Sequence, residues 1–315
     1  VAMFVLVLYI LSTIGFDASC IYYDAFLTDI TTEDRMDRVS TLGYGLGYIG
    51  GSTIPLVVFL VMNLVGVDML VCLAFIFAFT AVWWLVFSLP LLKNCRQKGG
   101  KPYEKGDIGR SIRGVGATMK EIGRNKALLT YIVAYFFYID GVHTVISMAT
   151  TYGTNLGLDS TGMLLALLLV QVLGLPFCLL YMKLSAKFGA RVMVGVGICV
   201  YMFICVFGFF MRSLWQFWLL AVLCATSQGG IQALSRSMYG KLIPDKQRSG
   251  ESAVASGMLA EQGLTAATAT AEQIDAINAA SSPYGILSIL LIVGLGGALY
   301  FFVLPKYLKA SGKKI

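Results

Sequence analysis

The strongest constraint on this chain is a recurring apolar run of about 20 residues, the length that crosses a ~30 Å hydrocarbon core as a helix. Eight such runs are evident, near 1–22, 41–65, 68–92, 127–150, 160–182, 191–211, 213–234 and 284–304. Apolar residues make up 57% of the chain and charged residues 13%, against about 45–50% and about 25% in soluble domains. The mean hydropathy is +0.78. Strands of a membrane barrel would alternate over about 10 residues, and no segment does so. The expected fold is therefore an all-α integral membrane protein held in a lipid bilayer.

The net charge of +7 does not point to nucleic acid, because the cations are confined to short loops, where they set orientation in the bilayer. Segment 93–126 holds ten Lys and Arg against three acids and is expected on the cytoplasmic side. Lys183, Lys187 and Arg191 mark the next cytoplasmic turn, Arg236, Lys241, Lys246 and Arg248 another, and the tail 305–315 is also basic. Parity then requires a crossing between 251 and 283. The candidate is Ser252–Ala271, rich in small residues and carrying only Glu261. The alternative is a soluble Ala-rich helix with the tail outside. In the linker, Ile108, Ile112, Val115, Met119 and Ile122 share one helical face and Arg110, Arg113, Lys120 and Arg124 lie off it. This predicts a helix lying on the inner membrane surface or packed on the cytoplasmic ends of the spans.

Little here supports an enzyme. GLGYIG, Gly45–Gly50, matches a dinucleotide-binding pattern but lies within an apolar span rather than after a strand. A single histidine and seven cysteines without a CxxC pair suggest no metal site, no disulfide framework and no cofactor. The glycines admit another reading. Gly43, Gly47 and Gly51 are four apart and leave one bare helix face, as in a doubled GxxxG. That face is expected at a helix seam, either sliding or statically packed.

Polar residues inside a membrane are costly and usually functional. Asp17 lies in the first span. Asp140, His143, Thr144 and Ser147 share a face of the span 127–150. Gln228, Gln232, Ser235 and Tyr239 share a face of the span 213–234 and its cytoplasmic extension. Each set serves either to bind a solute or proton, or to make structural hydrogen bonds between helices.

The stretch YDAFLTDI…EDRMDRVSTLGYGLGYIGG resembles a motif of the major facilitator superfamily, and within it the vacuolar-effluxer-like family of amino-acid efflux proteins. YFFYIDGVHT (Tyr135–Thr144) and SQGGIQALSRSMYGKLIP (Ser227–Pro244) resemble the same family. The likeness covers most of residues 15–250 and resumes at Pro283–Ser288. It implies twelve spans in two halves around a central cavity, worked by alternating access. On that scheme residues 1–92 are spans four to six of the N-terminal half, 93–126 the linker and 127–304 the C-terminal half, so that the chain reads as truncated at Val1. The sequence departs from the family at 251–282. It also departs in the turn MKLSAKFGAR, where Met182 and Ala186 replace the usual Gly and Asp.

The resemblance implies a secondary transporter of a small solute, such as an amino acid, with proton coupling. Asp17, Asp140, His143, Thr144, Gln228 and Gln232 would line the binding site. The rival readings are a membrane interaction or sensor protein on a transporter scaffold, and an incomplete transporter. The acidic segment 24–38 is expected to be a cytoplasmic loop, with Asp24, Asp34 and Arg38 either forming a gate or merely solvated. The absence of N-x-S/T sequons favours a bacterial inner membrane over a fungal vacuole.

Overall fold

The structure, a computed structural model, describes residues 2–95, 119–120, 122–243 and 283–311. The described chain is helical: α1 (Ala2–Ile30), α2 (Met36–Gly47), a π-helical turn (Tyr48–Thr53), α3 (Ile54–Leu64), α4 (Met69–Asn94), α5 (Lys126–Asn155), α6 (Ser160–Phe188), α7 (Ala190–Phe209), α8 (Leu214–Leu242), α9 (Pro283–Ala298), a second π-helical turn (Leu299–Val303) and α10 (Leu304–Ser311). Eight continuous helical stretches are long and apolar enough to cross a membrane, α2 to α3 counting as one and α9 to α10 as another. The expected marginal span 252–271 lies outside the described residues. So does most of the expected linker helix. Of its apolar face, Ile122 is buried in the core formed by α5, α7 and α8, and Met119 is exposed.

The helix ends follow local chemistry. Asp68, Asn125 and Asp159 cap α4, α5 and α6 by accepting hydrogen bonds from first-turn backbone N–H groups. Ser213 and Gln216 form a capping box at α8. Gly66 and Gly157 reverse the chain after α3 and α5 with positive φ. One expectation changes. The acidic segment is not a loop, because α1 runs to Ile30 and α2 begins at Met36, which leaves only 31–35 between them. Asp24 and Asp37 are carried on helices that pack against α8, and their charges are met there by Arg236 and Lys241.

Helix α8 is the hub, packing against α1, α2, α5, α6 and α7. Its Gly229 and Gly230 make this crowding feasible. A Cβ on Gly229 would stand 2.3 Å from Cys178 Sγ and 2.6 Å from the Tyr48 ring, and one on Gly230 would stand 2.1 Å from the Tyr181 ring. Gly174 on α6 is likewise 2.6 Å from Tyr48, so that the Tyr48 ring is slotted between α6 and α8. Buried tyrosines fix the hub further. Tyr131 donates to the Ser235 carbonyl at 2.7 Å, and the Tyr138 hydroxyl lies 2.7 Å from the Ser235 hydroxyl. Tyr181 donates to the Ser227 hydroxyl at 3.0 Å.

The close helix approach thus falls on Gly45, Gly174, Gly229 and Gly230, not on the face expected from GxxxG spacing. Gly43 meets only the Tyr23 hydroxyl and Arg236, and Gly47 and Gly51 have open space where a Cβ would stand. Gly43 and Gly47 border a cavity instead. A stripe of bare helix permits close packing but does not choose which helix comes to it. The π-helical turn after Gly47 has its own cause. Pro55 has no N–H to return to the preceding turn, and the Trp83 indole of α4 donates to the Gly50 carbonyl at 2.6 Å.

Trp83→Phe is expected to destabilise the purified protein by about 1 kcal/mol, the net worth of one hydrogen bond. Gly229→Val is expected to lower the thermal unfolding midpoint in detergent much further, because Tyr48 and Cys178 occupy the space. A Gly229→Val protein that melts with the wild type would refute the close-packed hub.

Candidate functional site

Six of the residues singled out by polarity, Ser235 and Tyr239 among them, converge on one space. A cavity of about 680 Å³ is bounded by α1, α2, α5, α6 and α8, and Asp17, His143, Gln228 and Gln232 are on its wall. Its size lies within the usual range of about 300–1,000 Å³ for small-molecule sites. Helix α8 supplies Gln228, Gln232, Arg236 and Gly240, an i, i+4 ladder that keeps one face toward the cavity. The Gln232 amide nitrogen lies 3.3 Å from His143 Nε2. For the amide to donate, the imidazole must carry its proton on Nδ1. The Asp17 Oδ2 and Gln171 Oε1 atoms are shielded from solvent and have no hydrogen-bond partner among the described residues, and both residues border the cavity.

Asp140 and Thr144 are placed differently. Asp140 is half-buried on α5 but borders neither this cavity nor its neighbour. Its offset of three residues from His143 is a rotation of about 60° round the helix, enough to turn it off the wall. Thr144 donates to the Asp140 backbone carbonyl at 2.8 Å and borders a smaller space of about 130 Å³. That second space is apolar, with Ala149, Cys205, Phe217 and Ala221 on its wall, and it meets the larger one at Gln171 and Gln228.

Toward the C-terminal end of α8, Asp24 and Asp37 meet its cations. Arg236 Nη1 donates to Asp24 Oδ1 at 2.7 Å, and Arg236 Nε donates to the Ser40 hydroxyl at 3.0 Å. The Ser40 hydroxyl in turn donates to the Ala233 carbonyl at 2.7 Å. The guanidinium lies 5.1 Å from the ring centroids of both Tyr23 and Tyr44, a geometry suited to cation–π attraction. One turn further on, Lys241 pairs with Asp37 at 2.7 Å and Ser237 donates to Asp37 at 2.6 Å. Both pairs tie α1 or α2 to α8.

The other two gate candidates are not part of this arrangement. Asp34 is exposed, 3.8 Å from an equally exposed Arg35. The Thr32 hydroxyl donates to it and holds its carboxyl below the usual carboxylate range. Arg38 is exposed and forms no ion pair among the described residues. Sequence reasoning missed Arg236, Lys241 and Asp37 as partners, and also Gln171. The signal for Arg236 was present, since it continues the 228, 232 spacing by four. For Gln171 no spacing signal exists, because it stands alone in the apolar stretch 162–180 of α6.

Residues 28–304 match the family model described as vacuole effluxer Atg22 like. The chain belongs to that family. It is 43% identical over 250 residues to the "uncharacterized MFS-type transporter YxiO" of Bacillus subtilis, an alignment that covers 78% of this chain and 58% of that protein. It is 24% identical over 232 residues to autophagy-related protein 22-1 of Penicillium rubens, covering 66% of this chain and 39% of the relative. Autophagy-related protein 22-2 of Aspergillus clavatus is similar at 24% over 234 residues, covering 66% and 38%. The chain thus spans less than two thirds of the length of these curated relatives. Among Atg22-like proteins, then, this is an integral, multi-pass helical membrane protein whose helices are those of a major-facilitator bundle.

Asp24→Asn removes the charge from the Arg236 contact and is expected to destabilise the detergent-purified protein by about 2 kcal/mol, the scale of a hydrogen bond to a charged group. Asp34→Asn is expected to leave the melting midpoint unchanged. Equal effects of the two changes would mean that the Asp24–Arg236 contact contributes nothing.

Proposed function

We propose that this chain acts within a secondary active transporter that carries a small zwitterionic solute, an amino acid, through the cavity between α1, α2, α5, α6 and α8. The observation that carries this reading is the charge arrangement. The cavity holds carboxylate, imidazole, amide and guanidinium groups together at membrane depth, and intramembrane ionisable groups mark solute and ion pathways. Asp17 is suited to an ammonium group. The Gln171, Gln228 and Gln232 amides are suited to a carboxylate. The apolar space beyond Gln171 and Gln228 would take an aliphatic side chain.

Alternating access gives the ion pairs a role. Asp24–Arg236 and Asp37–Lys241 join α1 and α2 to α8 at the cytoplasmic end. Opening toward the cytoplasm requires them to separate, so they form the gate in this reading. Asp34 and Arg38 could join it only in another state of the cycle. His143, with Asp140 one turn away, is the proposed proton-coupling pair, and Gln232 reports its protonation through their contact. The GxxxG face of Gly43, Gly47 and Gly51 is proposed to give the solute clearance past α2 rather than to pack. A bacterial inner membrane is the proposed location, supported by the higher identity to the Bacillus relative.

The test is uptake of radiolabelled amino acids into proteoliposomes under an imposed pH gradient. Loss of one solute hydrogen bond is worth ~1 kcal/mol, so Gln232→Ala is expected to weaken half-saturation five- to tenfold, as a rough scale. His143→Ala is expected to abolish the response to the pH gradient. Ala221→Phe, which fills the apolar space, is expected to exclude leucine-sized solutes while sparing glycine. Uptake that none of the three changes alters would overturn the assignment of this cavity.

A further inference from the structure

The outer face of the C-terminal helices carries a second feature, away from the central cavity. Arg191, Val192, Gly195, Val196, Cys199, Val200 and Phe203 of α7 recur at helical spacing and form one wall of a groove of about 700 Å³. Phe188, at the end of α6, and Tyr300 and Phe301, in the second π-helical turn, complete it. Helix α7 packs on α5, α6, α8 and α9, so this face is turned from the N-terminal helices toward lipid. Gly195 lets the Phe301 ring seat directly against α7 as part of the groove wall, because a Cβ there would meet that ring at 2.7 Å.

The two ends of the groove differ. From Cys199 to Phe203 the wall is apolar. The opposite end is basic: Arg191 stands on the groove, and Lys187 lies 5.1 Å from the ring of Phe188. Segment 181–192 contains three cations and no acid. Tyr300 ties down the Arg191 backbone by donating to its carbonyl at 2.8 Å. The Arg191 guanidinium itself forms no ion pair among the described residues. From Arg191 to Phe203 is twelve residues of helix, about 18 Å, close to the depth of one hydrocarbon leaflet, about 15 Å.

We propose that this groove is a binding site for one anionic phospholipid of the cytoplasmic leaflet. Its phosphate rests on Arg191 and Lys187, and one acyl chain lies along α7 past Gly195 and Cys199 to Phe203. Guanidinium and ammonium groups at the membrane surface favour an anionic headgroup, and the apolar wall of leaflet depth matches an acyl chain rather than a soluble anion. The site is independent of the transport reading, since none of its residues touches the central cavity.

The experiment is native mass spectrometry of the full, delipidated chain in detergent, titrated with phosphatidylglycerol or with phosphatidylcholine of the same acyl chains. Each interfacial cation favours anionic lipid by about fivefold. Phosphatidylglycerol should therefore bind more tightly than phosphatidylcholine by about that factor or more. Arg191→Gln should remove about fivefold of this preference, whereas Arg191→Lys should retain it. Cys199→Trp, which fills the groove without touching the cations, should abolish the tight adduct of both lipids. The melting midpoint without lipid should be the same for all three variants, because neither side chain supports the fold. Equal binding of the two lipids by the wild type overturns the proposal. So does full preference in Arg191→Gln, or a tight adduct that survives Cys199→Trp.

Discussion

Arg236 carries a full charge on a membrane-spanning helix, and much of the described structure is arranged around it. Taking a guanidinium out of water is favourable only where its donors and its charge are both met. Asp24 meets the charge, Ser40 takes a second donor, and the rings of Tyr23 and Tyr44 cover its faces. These partners come from α1 and α2, while Arg236 belongs to α8. Neutralising one side chain thus binds three helices together. The contact is also reversible in principle, since an ion pair with one partly exposed partner can be hydrated when the helices part, which an apolar contact of the same size could not exploit.

The same helix joins that contact to the cavity. Gln228, Gln232 and Arg236 are four residues apart, so one face of α8 runs from the amides to the ion pair with Asp24. Such a ladder needs α8 to be straight and closely held. Gly229 and Gly230 allow Tyr48, Cys178 and Tyr181 to come against its backbone on the adjacent faces, and Tyr131, Tyr138 and Tyr181 bond to its serines. Small residues and tyrosine hydroxyls do the packing on one side, which leaves long polar side chains free on the other. Movement of a solute against the amides and separation of the ion pair would therefore act on one rigid element.

Much of this was legible in the sequence. The apolar runs located all eight described spans, and the polar stripes on α1, α5 and α8 contained six residues of the cavity wall: Asp17, His143, Gln228, Gln232, Ser235 and Tyr239. Other readings failed for identifiable reasons. The acidic segment looked like a loop because its acids fall between two apolar runs, and the partners of Asp24 and Asp37, Arg236 and Lys241, lie some 200 positions away in the chain. The GxxxG stripe looked like a seam because bare helix faces usually pack, but the close contacts went to Gly45 and to glycines of α6 and α8. Asp140 looked like a residue of the cavity wall because periodicity groups residues within about 60°, a resolution too coarse to tell wall from flank.

The sequence alone determined that the chain is a bundle of membrane helices, which helix ends are flanked by cations, and which polar residues are expensive enough within an apolar span to need a reason. Those properties depend on one helix at a time, on its length, its hydropathy and its flanking cations. Only the tertiary structure decided the pairings: Asp24 with Arg236, Asp37 with Lys241, Gln232 with His143, and Tyr48 between Gly174 and Gly229. Each depends on which helices are neighbours and how they are rotated. That follows from side-chain volume and hydrogen-bond geometry summed over every contact, and it leaves no periodic trace in any single segment.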